Sequence, residues 1–101
     1  MKQYSDTKLS ELQHEGLKEL IKILAKQKDE KELTECLECL LTKSELEDLG
    51  KRWLLVKEID AGTTQREIAQ NFHMSLCKIT RGSRELKKPD SAFRRMLDLI
   101  K

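Results

Sequence analysis

A chain of 101 residues fits one domain but is short for a self-sufficient core, because small domains bury a smaller share of their surface. Only 4% of the residues are aromatic and 38% are charged, so we expect the chain to pair with a second copy. Four glycines and one proline favour long helices over a β-sheet. No apolar run is long enough to span a membrane, and no apolar signal-peptide core follows the polar N-terminal residues. We therefore expect a cytoplasmic protein.

The net charge of +2 is unevenly distributed along the chain. Residues 1–50 contain 8 basic and 12 acidic residues, whereas residues 51–101 contain 12 basic and 6 acidic residues. An acidic half followed by a basic half indicates that the second half faces a polyanion.

We expect the three cysteines to form neither a disulfide framework nor a metal site. An odd count without a secretory signal argues against disulfides. Cys36 and Cys39 lie in an amphipathic helical run, and the further ligands that zinc would need are scattered at His14, His73 and Cys77. We therefore expect both helical cysteines to pack in a core and expect neither a metal ion nor a cofactor.

Helical periodicity and capping residues predict six α-helices in a single domain, residues 1–101. The predicted helices run from about Ser5 to Lys28, from Asp29 to Leu41, from Thr42 to the terminator Gly62, from Thr64 to the break at His73, from Ser75 to Lys87, and from Ser91 to Lys101. Within the domain, residues 1–61 are expected to form dimerisation helices, residues 63–87 a helix-turn-helix, and residues 90–101 a C-terminal helix.

The segment after Gly62 has the spacing of a DNA-binding helix-turn-helix. Ala69 is small enough for a second helix to approach, and Met74 and Ile79 follow at the expected intervals. The residues expected to fill the angle between the two helices are Ile68, Phe72, Met74, Leu76 and Ile79. The turn often contains glycine, and His73 is expected there at a positive φ, which histidine tolerates better than most residues.

The surface of this helix pair predicts DNA binding, and its second helix also predicts a pocket. Residues 66–88 contain six basic and two acidic residues, and Gln65, Arg66, Lys78 and Thr80 are placed to reach bases or phosphates. Gly82 lies inside this helix, where glycine costs about 1 kcal/mol relative to alanine. A pocket beside Gly82 would explain it, with the Arg81 guanidinium as a wall that stacks on a ring or pairs with a carboxylate.

Four short motifs together resemble the bacterial tryptophan repressor family over about residues 40–101. They are Leu41-Thr42, Leu49-Gly50-x-Arg52, Gln65-Arg66-Glu67 and Ile79-Thr80-Arg81-Gly82-Ser83. The resemblance implies an all-α, six-helix intertwined homodimer whose N-terminal helices build a shared core. It also implies a repressor that binds operator DNA with L-tryptophan as corepressor and controls genes for tryptophan synthesis or uptake.

The same resemblance implies which residues bind each partner. The tryptophan-binding positions are Cys39, Leu41, Thr42, Arg52, Arg81, Gly82 and Glu85. By analogy, the two arginines sandwich the indole ring, Arg81 and Thr42 bind the carboxylate, and the backbone carbonyls of Cys39, Leu41 and Thr42 receive the ammonium. We expect Glu85 to turn outward or to pair with Arg84. The DNA-binding positions are Lys51, Gln65, Arg66, Cys77, Lys78, Thr80 and Lys87.

Two other interpretations remain open. One is a helix-turn-helix regulator without a tryptophan ligand, and the other is a helical protein-interaction module whose basic face pairs with an acidic partner. An enzyme is not expected, since the sequence contains no Ser/His/Asp arrangement, no phosphate-binding loop and no clustered carboxylates suited to catalysis.

Overall fold

The computed structural model describes residues 3–101, and in that range the α-helix is the only regular secondary structure, as predicted. The six helices are α1 (Asp6–Ala25), α2 (Glu30–Leu40), α3 (Lys43–Asp60), α4 (Gln65–Phe72), α5 (Leu76–Lys87) and α6 (Ala92–Ile100). They belong to two compact units, one ending at Thr42 and one comprising Lys43–Lys101. The predicted division into residues 1–61, 63–87 and 90–101 stays a prediction.

Local sequence determines where most of the helices begin. The helices predicted to begin at Thr64 and Ser75 are capped by these residues: Thr64 Oγ1 accepts a hydrogen bond from the backbone N–H of Glu67, and Ser75 Oγ accepts one from that of Lys78. Asp29 caps α2 through the N–H of Lys31. Each cap satisfies an N–H group that has no partner inside the helix, which contributes about 1 kcal/mol.

The unit formed by Lys43–Lys101 is built around α5, which packs against α3, α4 and α6. One buried cluster joins Leu55 of α3 to Ile68 of α4 and Ile79 of α5. A second cluster comprises Val56, Leu86 and Leu97, with Trp53, Ile59 and Phe93 packed against it. Full burial of such side chains stabilises the fold by about 1.5–3 kcal/mol each, so these clusters hold α5 in place.

One predicted core position in this unit is wrong. Leu76 was expected to fill the angle between α4 and α5, but it is 58% exposed at the first residue of α5. Leu55, which periodicity did not single out, is only 3% exposed. It is buried because α5 packs closely against it. The periodicity of apolar residues in α3 alone does not predict this contact between distant parts of the chain.

The unit that ends at Thr42 contains α1 and α2, and neither helix has a buried residue. Leu17 and Ile21, members of the predicted apolar stripe of α1, are 56% and 55% exposed. Cys36 is half-buried and Cys39 is exposed, so the prediction that both cysteines pack in a core is wrong for Cys39 within a single chain.

Candidate ligand cavity and nucleic-acid interface

The turn between α4 and α5 has the backbone geometry that the sequence predicted. His73 lies in the left-handed region at φ 52° and ψ 48°, and its N–H donates to the carbonyl of Ala69. The N–H of Met74 donates to the same carbonyl at 3.2 Å. This turn ends α4 after eight residues and lets α5 begin at Leu76, so the two short helices are joined by only three residues.

The outer surface of α4 and α5 presents several of the predicted DNA-binding residues. The exposed members are Gln65, Arg66, Cys77, Lys78 and Lys87, while Lys51 of α3 and Thr80 are half-buried. Thr80 Oγ1 donates a hydrogen bond of 3.3 Å to Gln65 Oε1, which links the two helices on this surface. The arrangement offers cationic groups and hydrogen-bonding side chains on one pair of helices.

A cavity of about 320 Å³ lies against α5, within the size range of small-molecule sites. Its lining residues are Arg52, Leu55, Val56, Lys78, Arg81, Gly82, Glu85 and Phe93. The structure therefore brings together four residues that were predicted to bind the ligand, namely Arg52, Arg81, Gly82 and Glu85. An apolar floor beside cationic groups suits a ligand with a flat apolar body and a negative charge.

Gly82 allows α3 and α5 to approach closely at this cavity. A Cβ atom built on Gly82 would lie 3.0 Å from Leu55 Cδ2 and 3.7 Å from Ile59 Cδ1. The glycine inside α5 therefore serves helix packing and also lines the cavity. The side chain that approaches the Gly82 backbone most closely is that of Leu55, which is itself a lining residue.

Glu85 is the one acidic side chain among the residues that line this cavity. Its Oε1 atom accepts a hydrogen bond of 2.8 Å from Lys88 Nζ, so its partner is Lys88 and not Arg84. This hydrogen bond holds the pKa of the Glu85 carboxyl below its ordinary value of 4.5, against the opposing effect of partial burial, and the charges of Lys88 and Arg81 lower the pKa further. The carboxylate is therefore ionised at neutral pH.

A smaller cavity of about 160 Å³ lies beside the α4–α5 turn. It is lined by Asp48, Lys51, Arg52, His73, Met74, Ser75 and Lys78. Arg52 and Lys78 line both cavities, so the smaller cavity adjoins the larger one at these two side chains.

The other predicted ligand residues, Cys39, Leu41 and Thr42, belong to the unit that ends at Thr42. Leu41 is the C-cap of α2, and its N–H donates to the carbonyl of Leu37 at 2.9 Å. Carbonyls at a helix C-terminus carry partial negative charge, so they suit an ammonium group. The role of these three residues stays a prediction.

Sequence reasoning missed several residues that line the larger cavity. Leu55 and Val56 follow Arg52 by three and four positions on α3, so helical spacing could have placed them on the same face. Lys78 was predicted only for DNA. Phe93 enters from α6, and no local pattern indicates that it reaches this cavity.

Within residues 3–101, no group of three or more His, Cys, Asp and Glu side chains lies in an arrangement that could hold a metal ion. Among the helices of the described range, none is both long and apolar enough to span a lipid bilayer.

The family model described as Trp repressor protein matches residues 15–100 of this six-helix chain. The chain belongs to this family. It is 42% identical over 69 residues to the Trp operon repressor homolog of Xylella fastidiosa strain M23, with 67% of this chain and 75% of that protein covered. It is 34% identical over 83 residues to the Trp operon repressor homolog of Chlamydia trachomatis serovar D, with 81% and 88% covered.

Proposed function

We propose that the chain is a DNA-binding transcriptional repressor that works as a homodimer and is activated by L-tryptophan. The observation that carries this proposal is the cavity on α5, because the same helix presents ligand-facing and outward-facing groups. Arg81 lines the cavity, while Cys77 and Lys87 of the same helix are exposed. A ligand that changes the position of α5 therefore changes the position of the DNA-facing side chains.

The apolar and cationic side chains that line the cavity support tryptophan as the ligand. Leu55, Val56 and Phe93 offer apolar contact for an indole ring. The guanidinium groups of Arg52 and Arg81 can stack on the ring, and Arg81 can bind the carboxylate. The family resemblance also implies that Thr42 binds the carboxylate and that the backbone carbonyls of Cys39, Leu41 and Thr42 receive the ammonium.

The DNA-facing surface consists of α4, the turn and α5, which form the proposed helix-turn-helix. Arg66, Lys78 and Lys87, together with Lys51 on α3, contribute the charge that binds phosphates without reading sequence. Gln65, Cys77 and Thr80 are the side chains proposed to approach base edges.

A homodimer is supported by apolar side chains that a single chain leaves exposed. Leu17 and Ile21 of α1 are 56% and 55% exposed, and Leu99 of α6 is 86% exposed. Large exposed apolar patches favour association, and a symmetric dimer is the commonest form. A dimer presents two copies of α5 to successive major grooves about 34 Å apart.

Tryptophan acts in this proposal by shifting a population. Without ligand, the two helix-turn-helix units of the dimer occupy a range of orientations, and only a fraction of these orientations fits the operator. The ligand favours the fitting orientation only to the extent that it binds that state more tightly. Scarcity of tryptophan would therefore release the genes for its synthesis or uptake.

The test begins with selection of binding sites from a random duplex DNA library in the presence of L-tryptophan. The affinity for the selected site is then titrated with the amino acid, and a rise of about tenfold or more is expected. Equal affinity with and without tryptophan would leave a helix-turn-helix regulator that lacks this corepressor. Failure to bind any DNA at low salt would favour the protein-interaction module, since phosphate contacts dominate under those conditions.

A further inference from the structure

More cationic than anionic side chains line the larger cavity. Arg52, Lys78 and Arg81 are cationic, and Glu85 is the single acidic lining residue. A ligand that carries only a carboxylate would gain from the cations, but it would also bring a second negative charge into the cavity with Glu85. A ligand that carries a carboxylate and an ammonium on one carbon can satisfy both signs.

The position of Glu85 on α5 places its carboxylate beside the predicted carboxylate-binding group. Glu85 follows Arg81 by four residues, so the two side chains lie on the same face of the helix. Glu85 also lines a neighbouring cavity formed largely by Lys88–Arg95, so its side chain stands at the wall between two cavities. The cavity wall therefore carries an anion and a guanidinium one helical turn apart.

The ion pair of Glu85 with Lys88 does not hold the carboxylate firmly outside the cavity. The two side chains are 41% and 59% exposed, and exposed pairs of this kind contribute little net stability. Lys88 can therefore exchange its partner for water at small cost. The carboxylate is then available to a positively charged group of the ligand.

We propose that Glu85 makes the cavity selective for a zwitterionic amino acid by accepting a hydrogen bond from the ammonium group of the ligand. This inference rests on the proposed function, because it assumes that the cavity binds tryptophan. It adds a role that the backbone carbonyls do not supply, since a full negative charge also repels desamino carboxylates. The cavity should therefore reject an indole acid of the same shape that lacks the ammonium.

Calorimetry with two ligands tests this role without DNA. Wild-type protein should bind L-tryptophan at least about tenfold more tightly than indole-3-propionate, because a hydrogen bond between charged groups is the stronger kind. Glu85→Gln keeps the shape of the side chain and removes its charge, so it should weaken tryptophan binding, strengthen indole-3-propionate binding and reduce the preference about tenfold or more. Glu67→Gln makes the same chemical change on exposed α4 and should leave the preference unchanged.

The possible failures are distinguishable. If wild-type protein binds neither ligand, the proposed function fails and this inference fails with it. If wild-type protein binds both equally, or if Glu85→Gln keeps the full preference, the role of Glu85 is overturned while tryptophan binding stands. A loss of preference in Glu67→Gln equal to that in Glu85→Gln would also overturn it, because the effect would then reflect net charge alone.

Discussion

Gly82 and Leu55 are in contact across the interface of α3 and α5, where a Cβ on the glycine would lie 3.0 Å from Leu55 Cδ2. Leu55 is 3% exposed and packs with Ile68 and Ile79, so it has little room to move away. The glycine lowers the helix propensity of α5 by about 1 kcal/mol but permits this contact.

We expect Gly82→Ala to destabilise the protein by about 1 kcal/mol, since overpacking outweighs the gain in helix propensity. In a Leu55→Ala background the same substitution should stabilise by about 1 kcal/mol, because the clashing methyl group is absent. Urea unfolding of the four proteins at one protein concentration measures this cycle. Additive free energies would show that the two residues do not constrain each other.

Arg81→Ala should abolish the effect of tryptophan on DNA affinity while salt-sensitive, non-specific DNA binding persists. Arg81 lines the cavity and is the proposed partner of the ligand carboxylate, whereas phosphate contacts come from several other cations. Arg84→Ala is the matched control, since Arg84 is an exposed arginine on the same helix and does not line the cavity. Titration of DNA affinity with tryptophan in both variants distinguishes them; a normal response in Arg81→Ala would refute the assigned role.

His73→Gly should stabilise the protein by about 0.5–1 kcal/mol. The residue has φ 52°, and the left-handed conformation costs a side chain more than it costs glycine, although glycine loses more entropy on folding. His14→Gly in the interior of α1 is the control and should destabilise by about 0.3–0.5 kcal/mol, the difference in helix propensity between histidine and glycine. Thermal unfolding of both variants provides the comparison, and destabilisation of His73→Gly would mean that the imidazole makes a contribution larger than the backbone cost.

Asp60 should stabilise the unit of Lys43–Lys101 only above acidic pH. Its carboxylate pairs with Arg94 at 2.9 Å and Lys101 at 3.3 Å, which ties the end of α3 to α6. The hydrogen bond from Arg94 lowers the pKa of Asp60 from its ordinary value of 3.8; burial opposes this shift, and Lys101 adds to it. Because the folded-state pKa is the lower one, the contribution is complete above the unfolded value and disappears as the pH falls through the folded value.

Asp60→Asn should therefore lower the melting temperature at neutral pH and have a much smaller effect at about pH 2. Asp98→Asn changes an exposed carboxylate on α6 and is the control. A deficit in Asp60→Asn that persists unchanged at the acidic pH would show that the effect comes from packing or geometry.

Local features of this fold were predictable from the sequence, whereas the cavity was predictable only in part. Thr64 and Ser75 cap their helices through neighbours three residues away, so a short stretch of sequence contains the whole interaction. Burial of Leu76 was predicted wrongly because helical periodicity does not tell whether another helix covers the first turn of α5. Phe93 enters the cavity from α6, a contact between residues distant in the chain that no local pattern encodes.

Trp53 is the only tryptophan of the chain, and it packs against the cluster of Val56, Leu86 and Leu97. Its fluorescence therefore reports the environment of the unit of Lys43–Lys101 without an indole signal from the helices before it. An added tryptophan ligand would emit in the same spectral range and obscure this intrinsic reporter. A Trp53→Phe protein, which removes the endogenous fluorophore, would allow the emission of the bound amino acid to be followed by itself.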